Sequence, residues 1–332
     1  MKRMLKILGS LRLTILLLAV TMALVLWGTF ACLDASVYEV KQRFFESFVV
    51  VVPVGGIRVP VLPGGYVIGA LLGLNLLAAG LVRGRRSVGL LLIHLGLIVL
   101  IAGLMLSASM TVDGQVVLNE GGRRNYAVNP RTCEIAVTRD VSATAEEVTV
   151  IPAAVFERRR HLATAALPFR IEVHRVYPRS QVAQLDVLGP AARSPATRGA
   201  GRKLAVRAVP PEHPEHQSMA PSVLLELWRG ERSLGTWLLS AAPVLGRAGV
   251  LPYPVQTVLV DGDVFRLALR PQRYYLNFTL QLNDFQRETY PGSEIPRSFS
   301  SDVTIIDAAG DRREALIYMN HPLSHGGWTF YQ

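Results

Sequence analysis

Two uninterrupted apolar runs constrain this chain more than any other feature. Leu13 to Leu33 and Val88 to Ala108 are each 21 residues long and contain no Asp, Glu, Lys or Arg. A helix needs about 20 apolar residues to cross the hydrocarbon core of a bilayer. Both runs are therefore predicted to be transmembrane helices, and the chain an integral membrane protein.

A third apolar run lies between them. Residues 66–82 form a 17-residue stretch that contains Asn75 and follows the turn signal Gly64-Gly65. This length is at the short end of the range for a spanning helix, so we predict a third span here. The first run exceeds the roughly 7 to 15 apolar residues of a signal peptide and lacks a good cleavage site, so it is expected to stay in the membrane.

Basic residues orient the three predicted spans. Short cytoplasmic loops accumulate Lys and Arg, which places residues 1–12 and residues 83–87 in the cytoplasm. Residues 34–65 and residues 109–332 are then extracytoplasmic. The charges that carry this inference are Lys2, Arg3, Lys6, Arg12, Arg83, Arg85 and Arg86.

The same charges explain why the sequence is basic. The formal net charge is +10, and residues 1–108 hold 10 Lys and Arg against 3 Asp and Glu, which accounts for seven of the ten surplus charges. Topology therefore explains the basicity, and no nucleic-acid partner is expected.

The outer region, residues 109–332, has the pattern of a β-rich domain. Short apolar or alternating segments are separated by Gly, Pro, Asn and Asp, which favours a sandwich or distorted barrel. Residues 189–221 are rich in Pro and Gly and are expected to be a mobile loop. The predicted strands are residues 169–176, 222–227, 256–260, 264–269, 274–282, 302–306, 315–318 and 328–331.

His94 is the candidate functional residue of the apolar runs. A polar side chain inside a span costs free energy unless something pairs with it. The pairing group could be a polar group of a neighbouring helix, the headgroup region, a proton pathway, or a metal such as haem iron. Gly89, Gly96 and Gly103 recur every seven residues on the same run and mark a face that allows close helix contact, or a cofactor surface.

The other histidines are weaker candidates. His161 and His174 are expected to be structural or exposed, and His213 and His216 lie in the predicted mobile loop. His321 and His325 have the spacing of a helical ligand pair, but the Pro and Gly residues around them predict a turn instead.

Several catalytic and redox motifs are missing from the sequence. It contains no Cys-x-x-Cys-His or Cys-x-x-Cys motif, no phosphate loop, no dinucleotide fingerprint and no His-Glu-x-x-His. Cys32 and Cys133 both face the oxidising side in this topology, where they could stay free or form a disulfide.

An ordered set of motifs near the two ends of the chain resembles the ResB family of cytochrome c biogenesis proteins. At the N-terminal end it comprises residues 8–14 and His94-Leu95-Gly96. At the C-terminal end it comprises Leu282-Asn283-Asp284-Phe285, Tyr290-Pro291-Gly292-Ser293, Pro296, Phe299-Ser300-Ser301-Asp302-Val303, Met319-Asn320-His321-Pro322-Leu323 and Gly327-Trp328-Thr329-Phe330-Tyr331-Gln332.

The resemblance implies a membrane subunit of the System II machinery, which delivers haem and attaches it to Cys-x-x-Cys-His motifs of apocytochromes c. It implies transient binding of haem b, shared with a CcsA-type partner, and a haem-iron ligand at His94. It also implies contact with apocytochrome c and with thiol-disulfide reductants. On this view the chain is half of a haem lyase rather than an enzyme by itself.

Two alternatives and one departure accompany the resemblance. A membrane-anchored scaffold that binds its partner or apocytochrome without ligating haem would make His94 replaceable. A channel or transporter subunit would need more spans or more polar residues lining a pore. Family members usually continue into a fourth transmembrane helix, whereas this sequence ends at Gln332, so the outer domain is expected to be tethered only at residue 108.

Overall fold

The computed structural model separates the chain into two compact units, Met1–Val112 and Asp113–Gln332. The residues that the structure describes are 2–33, 35, 37–54, 57–83, 88–142, 145–188, 193–209, 220–247 and 249–332.

The first unit is mainly helical. Its elements are α1 (Lys2–Leu8), α2 (Leu11–Ala31), α3 (Val37–Val40) with a π-helical turn (Lys41–Phe45), β1 (Val49–Val54), β2 (Ile57–Pro63), α4 (Gly65–Arg83) and α5 (Val88–Met110). Among the described residues, α2 and α5 are long and apolar enough to cross a membrane, and the apolar part of α4, Gly65–Leu81, is shorter. The third predicted span therefore corresponds to a helix, and its membrane insertion stays a prediction.

A small core forms where the segment between α2 and α4 folds back. β1 and β2 pair as an antiparallel hairpin. Val50 of this hairpin is buried together with Leu24 of α2, Phe44 of the π-helical turn and Ile68 of α4. This segment is thus a structured cap on the helices rather than an open loop.

The N-terminal motif is explained by the contact of the α1–α2 turn with α4. A Cβ atom on Gly9 would lie 2.7 Å from the backbone nitrogen of Ala79, so glycine is needed for this approach. Ser10 caps α2, because its hydroxyl oxygen accepts a hydrogen bond from the Leu13 amide at 3.3 Å. The motif therefore has a structural role at this helix crossing.

The second unit is the β-rich domain that the sequence predicts. Its elements are β3 (Arg123–Ser142), β4 (Ala145–Pro152), α6 (Ala153–Phe156), β5 (His161–Leu162), β6 (Arg170–Gln184), α7 (Leu185–Leu188), a 3-10 turn (Ala200–Lys203), β7 (Leu204–Ala208), β8 (Ala220–Arg229), β9 (Arg232–Ser240), β10 (Val244–Gly246), β11 (Gly249–Leu251), β12 (Gln256–Val260), β13 (Asp263–Thr289), β14 (Pro296–Asp307), β15 (Arg312–Tyr318), β16 (Leu323–His325) and β17 (Trp328–Phe330).

Two sheets pack into a sandwich. Within the described residues, one sheet has the order β11-β10-β6-β8-β9 with β5 and β7 also paired to β6, and the other has the order β15-β14-β13-β3-β4 with β12 paired to β13. Alternate side chains of both sheets meet in one buried core, for example Ile171 and Leu225 from the first sheet and Ile135 and Leu267 from the second.

β13 corrects the prediction of two separate strands at residues 264–269 and 274–282. It is one strand of 27 residues, in which the register with β3 shifts between Pro271 and Gln272. Proline has no N–H to donate, so it is tolerated in a strand only at an edge or an irregularity. The sequence pattern indicates a break at Pro271, but the strand continues through this proline because the pairing with β3 shifts register there.

The predicted loop over residues 189–221 contains regular structure, and its mobility stays a prediction. Residues 200–208 form a 3-10 turn followed by β7, which pairs antiparallel with β6. The turn is held by two side chains: Ser194 donates to the Gly201 carbonyl at 2.6 Å, and Gln256 accepts from the Ala200 amide at 2.8 Å. Residues 189–192 and 210–219 lie outside the described residues.

A second core joins the C-terminal hairpin to the far half of β13. Phe278 and Leu280 of β13 pack with Ile305 of β14, and Trp328 and Phe330 of the β16–β17 hairpin lie against them. The last strands of the chain therefore cover the sheet beyond the region where the two sheets face each other.

Candidate functional site

His94 lies in the second turn of α5 and is partly buried. Its Nδ1 lies 2.8 Å from the carbonyl oxygen of Leu90, one turn earlier. A carbonyl oxygen only accepts, so Nδ1 is the donor in this contact, and in the neutral tautomer that matches it the lone pair lies on Nε2. This is the arrangement found in metal-ligating histidines, in which one nitrogen is fixed by a carbonyl and the other binds the ion.

α4 packs against one side of the His94 side chain. A Cβ atom on Gly80 would lie 3.5 Å from the Cβ and 3.8 Å from the Cγ of His94, so the small residue lets the two helices meet at this point. Among the described residues of α5 none is fully buried. The remaining faces of α5 are therefore not covered by the described residues.

Asn75, a polar residue inside the third predicted span, differs from His94. Its amide nitrogen donates to the Leu8 carbonyl at 2.5 Å, and its side-chain oxygen accepts from the Thr14 hydroxyl at 2.8 Å. These bonds connect α4 to the α1–α2 turn, and the side chain is 1% exposed. Asn75 is thus a structural residue, whereas no partner for Nε2 of His94 lies within the described residues.

The glycine stripe of α5 does not line the same surface as His94. At about 100° per residue, Gly96 is rotated by about 200° and Gly103 by about 180° from His94. Apart from its chain neighbours and the adjacent backbone of α5 itself, no described atom lies within 4 Å of the point that a Cβ atom on either glycine would occupy. The stripe can admit another helix closely, but on the opposite side of α5, so the hypothesis that it forms one cofactor surface with the imidazole is not supported.

The two C-terminal histidines are not brought into one site. The His321 ring stacks on Tyr318 with centroids 4.0 Å apart. His325 contacts Asp307 through Nε2 at 3.0 Å, and its ring meets the edge of Phe278. His321 directly follows the turn at residues 319–320, whereas His325 is the last residue of β16 rather than part of the predicted turn. His213 and His216 lie outside the described residues.

The two cysteines are free thiols. Cys133 lies in β3, where burial, followed by the nearby carboxylates of Glu134 and Glu157, raises its pKa to about 11. A thiol with this pKa is almost fully protonated at neutral pH and is therefore a poor nucleophile.

The C-terminal motifs occupy special backbone positions of the second sheet. Asn283 sits at a register shift of β13 against β14, and its amide donates to the hydroxyl of Thr304 at 2.9 Å. Asn320 adopts a left-handed conformation with φ of 61° in the turn before β16. Gln332 accepts a hydrogen bond from Ser301 at 2.5 Å and so fastens the end of the segment to β14. These residues shape the sheet edge and its hairpin.

This part of the sandwich matches known proteins. Residues 250–332, the last quarter of the chain, match the ResB-like family. Protein NrfI from Wolinella succinogenes is 37% identical over 78 residues, which are 23% of this chain and 9% of that relative's length. The resemblance inferred from the C-terminal motifs is thereby confirmed, and His94 lies outside the segment that matches the family.

Proposed function

We propose that this chain, ResB-like over residues 250–332, is a membrane subunit of the System II cytochrome c maturation machinery. It would help to deliver haem across the membrane and attach it to Cys-x-x-Cys-His motifs of apocytochromes c together with a CcsA-type partner. The family match supports a role in cytochrome c biogenesis. The observation that carries the haem-binding part of the proposal is the His94 imidazole, which is held through Nδ1 and has no partner for Nε2 among the described residues.

The residues around His94 fit one half of a site for haem as cargo. A neutral imidazole can ligate the iron through Nε2 without first losing a proton, and the Leu90 carbonyl fixes the ring orientation. α4 covers only one side of the ring, at Gly80. The second axial ligand and the opposite wall would come from the partner, which explains why a single intramembrane histidine is sufficient on this chain.

The β-rich domain is assigned a positioning role outside the membrane. Thioether formation requires a haem vinyl group and a cysteine thiolate to be held in contact, and positioning alone can contribute a large part of the rate. The two-sheet sandwich of this domain would be the surface on which an apocytochrome and the partner dock.

The first test is the absorption spectrum of the chain co-purified with its CcsA-type partner, wild type beside His94→Ala. The proposal predicts that the haem Soret band is lost or shifted in the variant while both subunits remain present. His321→Ala is the matched control, because it removes an imidazole from an exposed turn. Exogenous imidazole added to a His94→Gly variant should restore the band.

A second pair of variants tests the position of the ring rather than its chemistry. Gly80→Leu inserts a side chain against His94 and should reduce haem retention, whereas Gly73→Leu changes the same helix where no described atom lies within 4 Å of the new Cβ. An unchanged spectrum in both His94→Ala and Gly80→Leu would remove His94 from haem binding and favour the scaffold function.

A further inference from the structure

Two imidazoles and two carboxylates come together on the sandwich of the second unit, outside the segment that matches the family. His161 on β5 pairs in register with Glu172 on β6, and Glu172 pairs with Glu226 on β8. Their sequence neighbours Ile171 and Leu227 point into the core. Because side chains alternate along a strand, the two carboxylates lie on the opposite, solvent-facing side of the sheet.

A bulge brings His174 into the same cluster. The register of β6 against β8 shifts between Val173 and Arg175, so His174 is the extra residue. Its Nε2 lies 3.1 Å from Oε2 of Glu226. Bulges commonly redirect a side chain next to a functional site. The nearest ligand atoms of Glu172, His174 and Glu226 all lie within 4.8 Å of one another, and Nδ1 of His161 is 4.0 Å from Glu172.

The charges of the cluster are unbalanced. Glu172 on β6 and Glu226 on β8 are directly paired on neighbouring strands, and like charges in that position are destabilising. Elsewhere on the domain, facing carboxylates are neutralised by arginine, as Arg266 does for Asp140 and Glu146. Among the described residues, the only basic side chains within 4.0 Å of these carboxylate oxygens are His161, beside Glu172, and His174, beside Glu226. A bound cation would supply the missing positive charge.

Glu226 is oriented as a ligand would be. Ser233 of β9 donates its hydroxyl hydrogen to Oε1 of Glu226, and the Ser233 oxygen accepts from the Gly235 amide at 3.0 Å. Oε1 is thus occupied, while Oε2 faces His174. Carboxylates that bind metals are typically held in this way by a hydrogen bond to one oxygen.

We infer that His174, Glu172 and Glu226 form a binding site for a divalent transition-metal ion, with His161 in reach as a fourth ligand. The donor set of imidazole nitrogen and carboxylate oxygen, without thiolate, suits Zn²⁺. Tetrahedral zinc holds such donors about 3.3 Å apart, close to the His174–Glu226 separation, so small side-chain rotations close the site. The ion would clamp β5, β6 and β8 to one another.

The test is zinc binding by the full chain in detergent, after removal of metals with a chelator. The background variant is His213→Ala with His216→Ala, because those two histidines could bind zinc independently. Titration with ZnCl₂ should show one site and raise the melting temperature of this background. His174→Ala and Glu226→Gln should each weaken zinc binding about tenfold or more, and Ser233→Ala, which keeps all the ligands, by about 10-fold.

His321→Ala serves as the control and should bind zinc like the background. The metal-free melting temperature of each variant establishes that it is folded, and Ser233→Ala remains informative if a ligand variant does not fold. The inference is overturned if the background binds no zinc, or if its affinity is unchanged by His174→Ala and Ser233→Ala.

Discussion

Three polar side chains in apolar surroundings have different roles, which their hydrogen bonds distinguish. Asn75 is fully engaged with the α1–α2 turn, and Glu134 forms an ion pair with Arg270 at 2.9 Å with only 2% of its side chain exposed. Both stabilise the contacts of the elements that carry them. Nδ1 of His94 is held by the Leu90 carbonyl, and no described residue is a partner of Nε2, which leaves that nitrogen able to bind a ligand.

Cys133 provides a pH-dependent prediction at the residue scale. Burial raises its pKa from 9.0 to about 11, so its alkylation in the folded chain should still accelerate about tenfold per pH unit beyond pH 9. The measurement is the iodoacetamide rate of a Cys32→Ser variant between pH 7 and 10.

The same variant in denaturant is the reference, and its rate should level off near pH 9. Because the folded state holds the thiol proton more tightly, this group's contribution to stability is complete below pH 9 and decreases as the pH rises towards 11. A plateau near pH 9 in the folded chain would show that the thiol is not buried as described.

At the scale of elements, β13 connects the two cores of the domain. Its first half lies in the sandwich, and its second half pairs with β14 under the C-terminal hairpin. The hairpin turn contains Gly326 and Gly327, with φ of 58° and 81°. Left-handed backbone of this kind favours glycine, since a Cβ atom costs about 1–2 kcal/mol there.

These two glycines give a matched pair of variants. In Gly327→Ala the new Cβ atom meets open space. The substitution should therefore lower the free energy of unfolding only by the cost of left-handed backbone, about 1–2 kcal/mol. In Gly326→Ala the new Cβ atom lies 2.7 Å from the Phe278 ring. Overpacking should therefore lower the free energy of unfolding by about 1–3 kcal/mol more than in Gly327→Ala. Chemical denaturation followed by tryptophan fluorescence measures both free energies of unfolding, and equal losses would contradict the hairpin packing.

At the scale of the whole molecule, the number of spans decides the side on which the β-rich domain lies. With a cytoplasmic N-terminus, α2 and α5 alone would return the chain to the cytoplasm, whereas insertion of α4 as well places residues after Met110 outside. The basic loop 83–87 favours insertion of α4, because this loop would otherwise lie outside, against the rule for positive charges.

Reporter fusions distinguish the two arrangements. Alkaline phosphatase, which is active only outside the cytoplasm, should be active when joined after residue 47, inactive after residue 86 and active after residue 113. A fluorescent protein that folds only in the cytoplasm should give the complementary pattern at the same junctions. Phosphatase activity after residue 86 together with none after residue 113 would establish the two-span arrangement.

Much of the fold is predictable from local sequence. Apolar length places α2 and α5, and alternating strands separated by turn residues predict a β-rich domain. The C-terminal motifs identify the ResB-like segment because turns, bulges and hairpin ends require particular residues at particular positions. The prediction of a break at Pro271 is wrong because a register shift in a long strand leaves no distinct signal in a single sequence.

Residue type and short-range spacing are enough to indicate which segments are apolar enough for a membrane, that residues 109–332 are β-rich, and that the last quarter of the chain is ResB-like. The folded chain shows in addition that Asn75 is hydrogen-bonded through both amide atoms, that no described residue is a partner of Nε2 of His94, and that His174 meets two carboxylates on neighbouring strands. Hydrogen bonding and clustering depend on contacts between residues far apart in the chain, and such contacts exist only once helices have crossed and strands have taken their register.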